Sequence, residues 1–148
     1  MAAKSITPQE AFDLMQQDSD CVYIDVRTEE EFSRGHPQGA VNIPVASPDP
    51  FGGGLAPNDD FTKVVEANFP KEKKLILGCQ AGPRSDRAAK ILEQAGYSRL
   101  FSVKGGFGGM HDLSGKLLAP GWCTLGLPVS QETGEGIGYA SLAAKIKR

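Results

Sequence analysis

The sequence predicts an α/β domain with a small, mainly parallel central sheet and helices on both faces. Three observations carry that expectation. Short strand-like runs at 21–26, 73–78 and 100–103 alternate with helix-like segments, the pattern of parallel βαβ units. Two capping boxes, Thr7-Pro8-Gln9-Glu10 and Thr28-Glu29-Glu30-Glu31, mark helix starts. Gly96 closes a helical pattern that begins just after an apolar run.

The elements follow in order. Lys4-Ser5-Ile6 reads as a short edge strand. Thr7 caps a helix with Pro8 at its first position, and Ala11, Phe12, Leu14 and Met15 supply its apolar face up to Gln17. Asp18-Ser19-Asp20 breaks it, and 21–26 is rich in strand formers. The Thr28 helix ends at Gly35, and 40–43 forms a short strand stopped by Pro44. Pro48, Pro50, Gly52-Gly53-Gly54 and Pro57 predict an irregular loop over 47–59. Asn58 or Asp60 caps a helix over 61–68 with Val64 and Val65 inward. A strand over 73–78, a helix over 85–95 and a strand over 100–103 come next. A short helix is expected from Met110 to Leu113. Residues 134–138 read as a flexible linker. A helix is expected over 139–148, with Tyr139, Leu142 and Ile146 as a docking stripe. The expected organisation is one domain over 1–133 and a linker with a helical extension over 134–148.

The net charge of −2 gives no electrostatic case for nucleic acid or an acidic membrane as partner. No apolar run approaches the ~20 residues that span a bilayer. Residues 1–5 lead into a polar helix start without the apolar core of a signal peptide, so a cytoplasmic location is expected. The 3 cysteines, Cys21, Cys79 and Cys123, lie far apart and make neither a disulfide framework nor a zinc pattern. Neither His36 nor His111 has a partner at metal spacing, so no metal is expected.

The chemistry concentrates in Leu75-Ile76-Leu77-Gly78-Cys79-Gln80-Ala81-Gly82-Pro83-Arg84-Ser85. A strand delivers Cys79 into a Gly/Pro turn, and a helix starts directly after it. That places the thiol near unpaired backbone N–H groups and the positive helix end, which favours a nucleophilic thiolate and an anionic substrate. Cys79 and Arg84 form Cys-x4-Arg. Cysteine phosphatases use His-Cys-x5-Arg; here the loop is one residue shorter and Gly78 replaces the histidine. A shorter cradle suits one sulfur atom better than a phosphoryl group.

Cys79 to Ser85 resembles the six-residue active loop of the rhodanese family, sulfurtransferases that carry sulfur as a cysteine persulfide. Tyr23-Ile24-Asp25-Val26-Arg27 with Glu30-Glu31-Phe32 resembles the family's Asp-Val-Arg-x-x-x-Glu-Phe segment. Gly35-His36-Pro37-Gln38-Gly39-Ala40-Val41-Asn42-Ile43-Pro44 resembles its Gly-His-Ile-x-Gly-Ala-x-Asn-Ile-Pro segment, with Pro37 for isoleucine. Val103-Lys104-Gly105-Gly106-Phe107 and Gly126-Leu127-Pro128-Val129 resemble its glycine turn and closing segment.

The resemblance implies a rhodanese-like fold and a double displacement. Cys79 takes the sulfane sulfur of a small anionic donor such as thiosulfate and passes it to cyanide, a thiol or a protein acceptor. It implies no cofactor. Two alternatives compete: a cysteine-based phosphatase or arsenate reductase, which the x4 spacing disfavours, and a rhodanese-like sulfur-carrier or partner-binding module, of which a non-catalytic partner-binding form would be expected to lack the loop cysteine.

Cys79 is the expected nucleophile. Gln80, Ala81, Gly82, Pro83, Arg84 and Ser85 shape the loop or bind substrate, and Gln80 and Ala81 are uncharged where some thiosulfate-using relatives carry a base. Two roles are open for Arg84: holding the anion, or pairing with Asp25 to brace the loop. Asp25 and Arg27 are expected to be supporting, with Arg27 paired to Glu30 or Glu31. Arg87 reads as a solvated helix residue. His36 is expected to hold the turn before Gly39 rather than act as a base, and His111 to lie at the surface. Cys21 is expected to be buried and inert; Cys123 is a candidate resolving thiol that no sequence feature supports. Phe107 and Trp122 read as core or pocket wall.

Overall fold

The structure, a computed structural model, describes residues 3–146. Strand β1 (Lys4–Ile6) leads into helix α1 (Pro8–Gln17). Thr7 and Glu10 form the expected capping box, each side chain bonding the other's backbone N–H. β2 (Cys21–Asp25) is followed by α2 (Glu29–Arg34), started by the Thr28/Glu31 box. Two short strands follow, β3 (His36–Pro37) and β4 (Val41–Asn42).

Next come β5 (Ala46–Pro48) and β6 (Leu55–Pro57), which pair antiparallel. This corrects the expectation of an irregular loop over 47–59. The three glycines 52–54 all take positive φ and form the turn, and Asp49 N donates to the Gly54 carbonyl at 2.8 Å. The prolines are tolerated because this two-stranded ribbon stands apart from the main sheet, and strand edges accept residues without an N–H.

Helix α3 (Phe61–Asn68) starts at Asp60, whose side chain makes no capping bond; Asn58 Oδ1 instead accepts from Asp60 N at 3.1 Å. β7 (Lys74–Gly78), α4 (Pro83–Gln94) and β8 (Leu100–Val103) form the βαβ unit around Cys79. The expected helix through Met110 is instead β9 (Met110–His111), paired antiparallel with β10 (Leu117–Ala119). The turn between them is tied by Asp112 Oδ1, which accepts from the N–H groups of Ser114 and Lys116. An Asx-type turn of this kind competes directly with a helix. β11 (Val129–Ser130) pairs with β3.

Helix α5 (Tyr139–Ala143) is shorter than the expected 139–148 and ends in a turn; residues 147–148 of that expectation lie outside the described residues. Residues 134–138 are a tight turn rather than a loose linker, with Ile137 N and Gly138 N both donating to Gly134 O.

The main sheet has five strands in the order β1-β8-β7-β2-β4, every pair parallel. Alternation along its central strands separates two cores. Ile24, Leu75 and Leu77 face α3, α4 and α5 through Val64, Val65, Ala88, Leu92 and Leu142. Tyr23 and Ile76 face α1 and α2 through Ala11 and Phe32, with Trp122 between. Leu75, Ile76 and Leu77 are fully buried, each contributing about 1.5–3 kcal/mol of transfer free energy. The strand that presents Cys79 is the middle one of the five and is buried on both faces. Register pairs Asp25 with Gly78, so the carboxyl ends of β2 and β7 lie side by side. No helix among the described residues is long and apolar enough to cross a membrane.

Candidate active site

Cys79 follows the last residue of β7, at the carboxyl end of a parallel strand, where α/β sheets place their ligands. Helix α4 begins four residues later at Pro83, earlier than the expected Ser85, with Gly82 as its N-cap at φ 139°. That backbone angle favours glycine. Gly82 turns its N–H back to Cys79 Sγ at 3.0 Å, so the sulfur accepts a bond inside the turn. Cys79 is 1% exposed, and Ser85 Oγ lies 3.8 Å from its sulfur. Ser85 Oγ also donates to the Gly82 carbonyl at 2.8 Å and lies 2.9 Å from Ser102 Oγ, which bonds Asp86 at 2.6 Å. The first turn of α4 is thereby tied to β8.

Gly78 has a steric cause. A side chain there would run into the Tyr23 ring and hydroxyl on β2. The histidine that precedes a phosphatase cysteine has no room at this position.

The Gly-rich segment after β8 supports the loop from the other side. Phe107 N donates to Cys79 O at 2.7 Å, and Gly108 N donates to Gln80 O at 2.9 Å. Side chains at 106 or 108 would collide with the backbone of residues 79–80 or with the Gln80 amide. Sequence reasoning offered only Phe107 here, as core or pocket wall, and did not pair this segment with the loop. The signal was present in Gly105-Gly106-Phe107-Gly108-Gly109, a density of glycine that permits close backbone approach.

The arginines exchange the expected partners. Arg27 pairs with Asp25, not with Glu30 or Glu31: Nε donates to Oδ1 at 3.0 Å and Nη2 to Oδ2 at 2.8 Å, with both side chains buried. Two residues apart at a strand end, they extend to the same side. Arg27 also bonds Gly35 O at 2.6 Å and Gln80 Oε1 at 3.3 Å, and its guanidinium lies 4.4 Å from the Phe107 ring centroid. It thus joins β2, the end of α2, the loop and the Gly-rich segment.

Arg84 pairs with Glu31 on α2, not with Asp25, through Nη1–Oε1 at 2.6 Å and Nη2–Oε2 at 3.0 Å. The pair is about one-quarter exposed. The bidentate bond to Arg84 holds the Glu31 carboxyl at about 2, against an ordinary value of 4.5. Sequence reasoning offered Glu31 to Arg27 and missed Arg84 as its partner, because the two lie 53 residues apart.

Gln80 and Pro83 are exposed, Ala81 is half-buried and Ser85 is buried. The loop rim is therefore uncharged. Met110 Cε lies 3.9 Å from where a Gly82 side chain would begin. His36 is buried, stacked on Phe32 at 3.6 Å, and bonds the carbonyls of Pro37 and Glu132. It holds the local turn as expected and also fastens the distant C-terminal segment. His111 is exposed. All three cysteines are free; Cys21 is half-buried rather than fully buried, and Cys123 is exposed. Burial pushes the Cys21 thiol up, which disfavours it as a nucleophile. Trp122 is core, wedged edge-on against Phe12 and Tyr23. Among the described residues, no group of three or more His, Cys, Asp or Glu side chains could hold a metal ion.

Residues 7–112 match the rhodanese-like domain family. The chain is 40% identical over 85 residues to thiosulfate sulfurtransferase 16, chloroplastic, of Arabidopsis thaliana, covering 57% of this chain and 69% of that protein. It is 31% identical over 130 residues to the thiosulfate sulfurtransferase GlpE of Haemophilus influenzae, covering 87% and 96%. Among solved structures it resembles Rv0390 from M. tuberculosis, with a TM-score of 0.73, 30% identity, and 89% of this chain and 100% of that chain covered.

Proposed function

The chain belongs to the rhodanese-like domain family, and from that membership we propose that it is a sulfurtransferase of the thiosulfate sulfurtransferase type, working through a persulfide on Cys79. The observation that carries the reading is the Cys79 sulfur, at the carboxyl end of β7, accepting the Gly82 N–H inside an x4 loop that opens α4. The names of the Arabidopsis and Haemophilus relatives agree with it.

In the first half-reaction the Cys79 thiolate attacks the outer sulfur of thiosulfate. The Sγ–S bond forms, the donor S–S bond breaks, and the electron pair leaves on sulfite. In the second, an acceptor nucleophile attacks the outer persulfide sulfur and the Cys79 thiolate returns. Cyanide yields thiocyanate, and a thiol or protein cysteine yields a new persulfide. The Gly82 N–H and the N-terminus of α4 stabilise negative charge on Sγ. The loop needs no general base once the thiolate is formed, which fits a His36 fully engaged in structural bonds.

The alternative of a cysteine phosphatase is disfavoured by the x4 loop and by the Tyr23 contact that fixes glycine at 78. The test is the intact mass of the protein after exposure to thiosulfate. Wild type should gain one sulfur atom that cyanide removes, and Cys79→Ser should gain none. Equal gain by both would place the chemistry on another cysteine and defeat the assignment.

A further inference from the structure

We propose that Glu31 sets the donor preference of the Cys79 loop: by neutralising Arg84 it leaves a site that favours sulfane donors carrying at most one negative charge over the thiosulfate dianion. The inference rests on the sulfurtransferase reading and names the substrate class of the same site.

The charges packed around the loop are already engaged. Arg27 is matched by Asp25, and both are buried. Arg84 is matched by Glu31 in a two-point contact. Asp86, in the first turn of α4, adds a carboxylate. The rim residues Gln80, Ala81, Gly82 and Pro83 bring no charge. Arg87, in the helix that follows the loop, and Lys104, at the start of the Gly-rich segment, are exposed, where water and salt weaken their hold on an anion. What remains for the donor is the partial positive charge of a helix end and its N–H groups, worth about half a unit charge. That is poorly matched to a dianion whose leaving group, sulfite, is also a dianion.

Arg84 is within electrostatic reach of the nucleophile. The Cys79 thiolate and Asp25 add to the field that raises its guanidinium, behind the larger effect of the Glu31 bond. Glu31 touches no substrate in this scheme. It acts through Arg84, as a positioning residue for charge.

Two donors of similar size isolate that charge. Thiosulfate transfers its outer sulfur and releases sulfite. Methanethiosulfonate, CH3SO2S−, transfers the same sulfur to the same thiolate and releases methanesulfinate, with one negative charge fewer before and after. In both, the Sγ–S bond forms as the donor S–S bond breaks, and the bonding pair leaves with the sulfur-oxygen fragment.

The experiment measures kcat/KM for each donor with cyanide as acceptor, in wild type and Glu31→Gln. Glutamine keeps the capping box, whose third helical position takes Glu or Gln alike, and removes the charge together with one of the two oxygens that accept from Arg84. A freed unit charge should act about threefold per negative charge on the donor. Thiosulfate turnover should then rise about tenfold and methanethiosulfonate about threefold, moving the ratio about threefold towards thiosulfate. Adding Arg84→Gln should cancel that shift. A purely structural brace would lower both donors together and leave the ratio fixed, which would overturn the proposal. If Glu31→Gln does not fold, Ala81→Lys supplies a cation on the rim, and the same ratio shift is expected; an unchanged ratio overturns the proposal equally. Wild type that loads sulfur on Cys79 from neither donor would instead overturn the sulfurtransferase reading itself.

Discussion

The two arginine–carboxylate pairs beside the loop are alike in chemistry and differ in kind. Asp25–Arg27 is buried, with side chains 2–3% exposed, and its arginine also bonds Gly35 O and Gln80 Oε1. Glu31–Arg84 is also bidentate, through Nη1 and Nη2 where Arg27 uses Nε and Nη2, but is 23–29% exposed and joins only two helices. Removing one partner from a buried pair leaves an uncompensated charge and costs several kcal/mol, whereas a water-accessible pair is screened and worth far less. The first pair is part of the architecture. The second can be changed without dismantling the site, which makes it the place where selectivity can be set.

The largest effect that tests this contrast is Asp25→Asn. It leaves Arg27 buried with only neutral partners and should destabilise the fold by about 3–5 kcal/mol, read as a fall in the denaturant midpoint. A loss no greater than that of Glu31→Gln would show that burial does not separate the two pairs.

A smaller effect sharpens the first pair's link to the loop. Gly108→Ala should displace the Gln80 side chain, which sits against Gly108 and bonds Arg27. A displacement of about 1 Å is enough for roughly a hundredfold loss of rate at a reacting centre, so sulfur transfer should fall by about tenfold or more. Stability should drop only by about 1–3 kcal/mol, the usual cost of overpacking. Full activity in a folded Gly108→Ala protein would mean that the Gly-rich segment does not position the loop.

The smallest is the acid limb of stability. Glu31 has its folded pKa depressed to about 2 from 4.5. Its contribution is therefore complete above the unfolded value and is lost as pH falls from about 4.5 towards 2. For a pair one-quarter exposed, about 1–2 kcal/mol is expected after screening. Wild type should lose that much more stability than Glu31→Gln across this window. Parallel curves would mean that the pair contributes nothing measurable in solution.

Much of the fold could be read where local chemistry decides it. Both capping boxes, Gly96 after α4, and the bounds of β8 depend on residues close in sequence, and they match. Cys79 at the strand-to-helix turn was legible for the same reason. The errors fall where distant segments choose. Glu31 meets Arg84 across 53 residues, and no spacing rule joins them. The Arg27–Asp25 pair could have been found, since residues two apart on an extended chain share a face. The β5–β6 ribbon was hidden by its prolines, which argue against a central strand but not against a free-standing edge. The Gly-rich segment carried a composition signal for close approach, but nothing in the sequence said that Cys79 and Gln80 would be its neighbours.

The C-terminal segment has a consequence for self-association. β4 is an outer strand of the main sheet, and Asn42 N donates to Ile137 O at 2.8 Å. Tyr139, Ala143 and Ile146 pack against the core beside it, with Leu142 buried. An unpaired strand edge is a template on which another chain can add. Residues 134–146 thus work as a guard rail: without them, every residue placed around Cys79 would remain, but a bare hydrogen-bonding edge and an uncovered apolar face would lie side by side. The opposite edge, β1, has only three residues and an exposed Lys4, and discourages pairing by brevity and charge. The cover over that edge is thus a segment that contributes no residue to the Cys79 loop.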